Sequence, residues 1–278
     1  NEPLYKVSLK GGHDYYCTAE HKWPVGNKKV LTKDLEPGMY LPLTKKDKLF
    51  EGSLGTYEDG LFIGWLYGDG WYTVRGDNGK TQIGMVVNYE EYEFIVPKIK
   101  EYLDFHCGKD VVNFNKRSNG TYEFNTTNEN LISHLNKFKI GNKSEGFPKT
   151  IWVEGSEEYR KGFIDGLISA DGSITKTGGI HFVSSQEKLA TDLKELLGFY
   201  GIKSSYKHSE NTSSFPNGKD YDKLYQRYDV KIGDSFSINH FISLFKLTNK
   251  LKADKLVGVK EPTDYRAKYK DLIRIQSI

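Results

Sequence analysis

Apolar and polar positions along this chain change period several times, and the changes come round twice. Leu61–Gly70 (LFIGWLYGDG) and Phe163–Gly172 (FIDGLISADG) are apolar, glycine-interrupted stretches of helical length, each closing on Asp-Gly. Hairpin signals follow each of them. In the first half they are Trp71–Arg75, a Gly76-Asp77-Asn78-Gly79 turn and Lys80–Val87. In the second they are Ser173–Lys176, Thr177-Gly178-Gly179 and Ile180–Ser184. Leu and Ile near helical spacing predict helices over Glu90–Phe105 and Gln186–Tyr200. Two further strand-like segments then lead into YEFNTTNENLISHLNKFKIGNK (122–143) and YDVKIGDSFSINHFISLFKLTNK (228–250), which agree in order, in aromatic placement and in a closing FK-x-x-NK. The same elements in the same order, about 100 residues apart, are an internal repeat and predict a pseudo-dimer with a twofold axis between its halves.

The first helix of each half carries a local contradiction. The C-terminal end of a helix bears partial negative charge and favours Lys or Arg, yet these two end on Asp69 and Asp171. Each also has small residues four apart, Gly64 and Gly68 in one and Gly166 and Ala170 in the other, so each offers a flattened face on which another backbone can approach. If those faces meet, the two carboxylates come together at two negative helix ends, where they resist joint ionisation. A divalent cation relieves the conflict, and oxygen-only ligation with open positions suits Mg²⁺ held against phosphate.

Composition narrows the setting. The 278 residues suffice for a substantial core, no apolar run approaches the roughly 18–20 residues of a membrane span, and no basic-then-apolar leader opens the chain. The expectation is a globular, soluble, intracellular protein that is not secreted and makes no membrane contact. Cys17 and Cys107 are the only cysteines, far apart and unlike any ligand spacing, so neither a disulfide framework nor a zinc site is expected. A net charge of +3 permits a polyanionic partner without requiring one.

Ile164-Asp165-Gly166-Leu167-Ile168-Ser169-Ala170-Asp171-Gly172 resembles the motif of the LAGLIDADG homing endonucleases, and Phe62-Ile63-Gly64-Trp65-Leu66-Tyr67-Gly68-Asp69-Gly70 is a looser second copy. The likeness runs over about residues 55–260. It implies an α+β fold of two αββαββα repeats whose strands form a saddle over double-stranded DNA, in a monomer with internal pseudo-twofold symmetry. It also implies site-specific hydrolysis of both strands, with two or three Mg²⁺ ions shared between two sites. Asp69 and Asp171 then take the metal, with the Gly68 and Ala170 carbonyls beside them. The FK-x-x-NK alignment puts Lys143 and Lys250 in equivalent places as catalytic lysines, with Lys139 and Lys246 as rivals.

The N-terminus resembles something else. YYCTAEHKWPV (15–25), with Thr18 and His21 in a T-x-x-H arrangement, and LTKDLEPGMYLPL (31–43) are similar to part of an intein (Hint) domain, and YKDLIRIQSI (269–278) to the strand by which such a domain is re-entered. The nucleophile and the His-Asn pair of a splicing intein are lacking in this stretch of chain, so splicing by this chain alone is not expected. The expected organisation is a Hint-like β segment over 1–47, a first repeat over 48–158, a second over 159–262, and a returning strand in 263–278.

Sequence reading would fall to strands whose side chains alternate between a helix-covered face and a groove face. The candidates are Tyr72, Arg75, Lys80, Gln82, Lys116, Arg117, Lys176, His181, Lys207 and Lys231. Two other readings stay open: a non-cleaving nucleic-acid binder of the same fold, such as an RNA maturase or a transcription factor, and part of a split or trimmed intein.

Overall fold

The computed structural model describes residues 2–42, 52–75, 79–212, 224–260 and 272–278. The predicted turn residues Gly76, Asp77 and Asn78, and the side chain of Arg75, lie outside the described part.

The chain opens with five short strands, β1 (Tyr5–Leu9), β2 (His13–Cys17), β3 (Lys22–Val25), β4 (Lys28–Leu31) and β5 (Tyr40–Pro42). The first repeat follows as α1 (Tyr57–Asp69), β6 (Gly70–Arg75), β7 (Lys80–Val87), α2 (Tyr92–Cys107), β8 (Asn115–Lys116), β9 (Tyr122–Thr126) and α3 (Glu129–Asn136). A short α4 (Lys149–Trp152) leads to the second repeat: α5 (Glu157–Asp171), β10 (Gly172–Ile174), β11 (Ile180–Ser184), α6 (Glu187–Phe199), β12 (Ser205–Thr212), β13 (Leu224–Ile232) and α7 (Ser235–Leu244). The one-turn α8 (Lys250–Ala253) and the strand β14 (Leu272–Ser277) complete the order.

Both central helices start on caps. Thr56 and Asp59 form a reciprocal capping box on α1, and the Ser156 hydroxyl accepts from Tyr159 N on α5, so each satisfies donors that a helix start leaves open. The helices then run side by side in parallel, and their glycines are the reason they can. A Cβ on Gly60 would lie 2.0 Å from Tyr159 O and one on Gly64 2.2 Å from Phe163 O. In return, one on Gly162 would lie 2.0 Å from Tyr57 O and one on Gly166 2.2 Å from Leu61 O. Backbone meets backbone at these four glycines, so a side chain at any of them forces the helices apart, and nearer the aspartates Gly68 makes room for the Ala170 methyl group.

Each repeat lays a four-stranded antiparallel sheet beside its central helix, in the orders β6-β7-β9-β8 and β10-β11-β13-β12. Alternation decides the faces: Ile83, Met85 and Val87 of β7, and Ile180 and Phe182 of β11, point into one core shared by both repeats. The N-terminal strands form a separate sheet in the order β2-β1-β14-β5, so β14 at the far end of the chain lies between β1 and β5, over a small core of Val7, Leu9, Leu35, Leu41 and Ile275. This module docks on the second repeat, where Tyr206 N and Lys194 Nζ both donate to Gly11 O. Among the described residues no helix is long and apolar enough to cross a membrane.

Candidate active site

Neither α1 nor α5 has a basic residue in its last turn, and the structure supplies the missing positive charge from elsewhere in the chain. Lys143 Nζ donates to Gly68 O at 2.8 Å, on the last turn of α1. Lys252 Nζ donates to Ser169 O at 2.6 Å, Ala170 O at 2.5 Å and Ile168 O at 3.3 Å, on the last turn of α5. Two ammonium groups thus cap two negative helix ends at matching positions.

The aspartates stand just beyond these caps. Asp69 is half-buried and Asp171 is exposed, and among the described residues neither carboxylate receives a hydrogen bond. Asp69 is raised to about 6, chiefly by burial and then by the charges of Asp171 and Glu91, with Lys252 and Lys143 holding it down from a larger rise. Asp171 is also raised by partial burial of its carboxylate, against which Lys143 and Lys252 act. Burial in turn depresses both lysines while the aspartates hold them up. Two carboxylates without donors, close enough to repel, form a hard-oxygen donor set that fits a divalent cation such as Mg²⁺. The Gly68 and Ala170 carbonyls named with them face the lysines.

A buried network sets Lys252 in place. Asp165, wholly buried in α5, accepts from Tyr57 Oη (2.5 Å), Ser169 Oγ (2.7 Å), Thr248 N (2.7 Å) and Thr248 Oγ1 (2.5 Å). The neighbouring Asn249 donates from Nδ2 to Glu91 Oε1 at 2.7 Å and to Ser169 O at 3.0 Å, and caps α8 by accepting from Lys252 N. Residues 248–252 are therefore pinned to the end of α5.

Lys250, aligned with Lys143 by sequence, is not at the helix end: its Nζ lies 5.9 Å from the centre of the Phe94 ring. The reason is helical phase. Asn142 caps a single 3-10 turn in which Lys143 itself faces the site, whereas Asn249 caps an α-helical turn in which the residue two further on does so. Of the rivals, Lys139 pairs with Glu154 at 2.7 Å, and Lys246 is exposed.

The sheet faces away from the helices carry most of the other candidates. Arg75 is paired across from Lys80, and Thr73 from Gln82, in outward register on β6 and β7. Arg117 lies in the β8–β9 connection of the same repeat, its guanidinium engaged by Glu123. On the second sheet His181, Lys231 and Lys207 share the outward register with Arg227 and Asp229, and Lys176 is exposed in the β10–β11 turn. Tyr72 and Lys116 fall in the other register: Tyr72 packs on the core with its hydroxyl donating to Asn136 Oδ1 at 2.7 Å, and Lys116 sits at the edge 5.6 Å from the Tyr89 ring. Trp71 Nε1, Gln82 Oε1 and His181 Nε2, all in the outward register, are buried without a hydrogen-bond partner among the described residues. Because β6 and β10 follow directly on Asp69 and Asp171 and are edge strands, each sheet starts at one aspartate and extends away from it.

In the N-terminal module Thr18 O accepts from His21 N at 3.2 Å, and the His21 ring stands edge-on to Trp23, 5.2 Å between centres.

Residues 158–232 match the family model of the LAGLIDADG-like domain. Solved structures with a similar chain trace include mesophilic variants of the homing endonuclease I-DmoI, at 13% identity over 68% of this chain and 94% of that one, TM-score 0.47. I-DmoI in complex with DNA and Ca matches at 14% identity over 68% of this chain and 88% of that one, TM-score 0.46. The LAGLIDADG meganuclease I-AabMI bound to uncleaved DNA matches at 12% identity over 71% and 87%, TM-score 0.43.

Proposed function

We propose that this chain is a site-specific, metal-dependent DNA endonuclease of the homing type that hydrolyses both strands of a long duplex. The observation that carries the reading is the pair of donor-free aspartates, Asp69 and Asp171, set at the ends of two backbone-packed parallel helices and flanked by Lys143 and Lys252. The match of residues 158–232 to a LAGLIDADG-like domain supports it. Asp69 and Asp171 would hold the cation, which when bound polarises a phosphoryl group and makes water more acidic.

The rest of the work falls to the chain itself. The glycine contact holds the aspartates at a fixed separation, and Lys143 and Lys252 keep positive charge where a phosphate gains negative charge during hydrolysis. Lys80, Gln82, Lys176, His181, Lys207 and Lys231, with Arg75 and Arg117, lie in or beside outward faces that would follow a groove, bases being read from the polar tips and phosphates from the cations. The N-terminal module, tied to the second repeat through Gly11, would lengthen that footprint as a Hint-derived arm. Incubation with a randomised duplex library in Mg²⁺, followed by sequencing of the ends, tests the reading. Double-strand breaks at one long site are expected, and no ends in Mg²⁺ or Mn²⁺ would overturn it.

A further inference from the structure

At the opposite end of α1 from Asp69, three elements of the first repeat bring together groups that the proposed nuclease chemistry does not use. Asp59 on α1, His106 at the end of α2 and His134 on α3 each offer one ligand atom, and these atoms all lie within 4.8 Å of one another. His134 Nε2 is 2.6 Å from Asp59 Oδ1, and the two imidazoles lie against each other with centres 4.0 Å apart and planes tilted by 30°. Asp59 divides its labour between its oxygens. Oδ2 closes the capping box by accepting from Thr56 N, while Oδ1 faces His134 and accepts from Tyr102 Oη at 2.8 Å.

We propose that Asp59, His106 and His134 form a binding site for a transition-metal ion of the Zn²⁺ type, a staple between α1, α2 and α3 that is separate from the aspartate pair at the other end of α1. Two imidazoles and one carboxylate, with a fourth position open to water, are the donor set Zn²⁺ prefers and Mg²⁺ does not. Among the described residues His106 makes no hydrogen bond through either ring nitrogen, so the lone pair of its neutral ring is not taken up by a donor. On binding, the ion takes the place of the hydrogen shared by His134 Nε2 and Asp59 Oδ1. The ring proton moves to Nδ1, and the two ligand atoms open to about 3.3 Å, the edge of a tetrahedron with bonds of about 2.0–2.1 Å. Tyr102 Oη remains on Asp59 as the outer partner that orients it. His134 keeps 21% of its side chain exposed, which leaves an entry path. The repeat itself does not demand the cluster: in the second half the position matching Asp59 is Lys161, paired with Glu157 at 2.8 Å.

The test uses the untagged full chain, stripped with chelator and titrated with Zn²⁺ in excess Mg²⁺, so that the oxygen-only pair is already supplied with its preferred ion. Calorimetry should give one equivalent, and at zinc about 100-fold above Kd the melting midpoint should rise by roughly 5 °C. His106→Gln should melt as wild type without metal, bind Zn²⁺ at least about 10-fold more weakly and lose the midpoint shift. A His106→Gln protein with undiminished zinc affinity, or a wild type that takes up none, would overturn the proposal. Histidine ring ¹⁵N spectra of the wild type need no variant: zinc should move the signals of His106 and His134, and unmoved signals would count equally against it.

Discussion

The ends of α1 and α5 are built from the same parts and are not equal. Along the helices the two halves mirror each other, Gly60, Gly64 and Asp69 answering Gly162, Gly166 and Asp171. Beyond the last turn they diverge. Asp69 is half-buried and shares its surroundings with Glu91, while Asp171 opens to solvent; Lys143 holds one carbonyl, and Lys252 bridges three. Asp165 anchors the second half internally where the first has the aliphatic Ile63. The lesson is a division of labour. Backbone contact through glycine fixes where the carboxylates stand, and loops outside the motif set how strongly each is charged.

The largest expected effect treats the halves as equal. Asp69→Asn and Asp171→Asn each keep the shape of the site and remove one cation ligand, so single-turnover cleavage of a bound target should fall on the order of 10²–10³-fold or more in either variant. Duplex affinity by gel shift should hold or tighten, because a negative charge has left a surface that meets phosphate. A variant that still cuts at the wild-type rate would mean that its aspartate is not a ligand.

Asp165→Ala probes the half that has the network. It strands Tyr57 Oη, Ser169 Oγ and both Thr248 donors, and should cost about 3 kcal/mol, read from the denaturant midpoint. Cleavage by the folded fraction should also slow, since residues 248–252 lose their anchor. If stability falls while cleavage stands, Lys252 is positioned by other means.

What could be read from sequence follows from which interactions are local. Asp69 and Asp171 stood out because each breaks a C-terminal helix preference within its own turn. The repeat, its hairpins and its central helices were legible from periodicity, and the strand alternation placed Lys80, Gln82, His181, Lys207 and Lys231 in outward register. Tyr72 broke that reading because one position along a strand reverses the face, and nothing local shows which residue of an aromatic pair packs inward. Gly60 and Gly162 belong to the same contact as Gly64 and Gly166, and a longer stripe at the same spacing was the signal that would have found them. Lys252 escaped because identical FK-x-x-NK segments continue into different turns, 3-10 after Asn142 and α-helical after Asn249, which changes the residue that faces the site. Asp59, His106 and His134 meet only through tertiary packing, and no spacing along the chain announces them.

The lysines sharpen the comparison directly. Lys143→Met and Lys252→Met each remove a charge beside the aspartates and should slow cleavage roughly 10-fold, with little change in affinity. Lys250→Met, which removes only a cation held over Phe94, should stay near the wild-type rate. A slow Lys250→Met enzyme beside an unimpaired Lys252→Met would restore the alignment that sequence alone suggested.

The smallest effect separates the two aspartates by stability instead of activity. Asp69 is raised to about 6 in the folded chain, against about 3.9 for an unfolded Asp, so below pH 4 both states carry the proton and no penalty exists. Between pH 4 and 6 the unfolded chain ionises first, and stability falls as pH rises; above 6 the penalty is constant. The full shift corresponds to a little under about 3 kcal/mol, and partial solvent screening reduces it to roughly 1–2 kcal/mol. In EDTA, Asp69→Asn should therefore be more stable than wild type at pH 8 by about that amount and indistinguishable from it at about pH 3. Asp171→Asn should gain less, because its carboxylate reaches water. Adding Mg²⁺ should close the gap at pH 8, since the cation stabilises only the chain that keeps both carboxylates. Denaturant midpoints at the two pH values, with and without Mg²⁺, measure all of this. Equal gains for the two variants would mean that the loops leave the helix ends electrostatically alike, and a loss for Asp69→Asn at pH 8 would make that carboxylate a stabilising partner of the two lysines instead of a strained ligand.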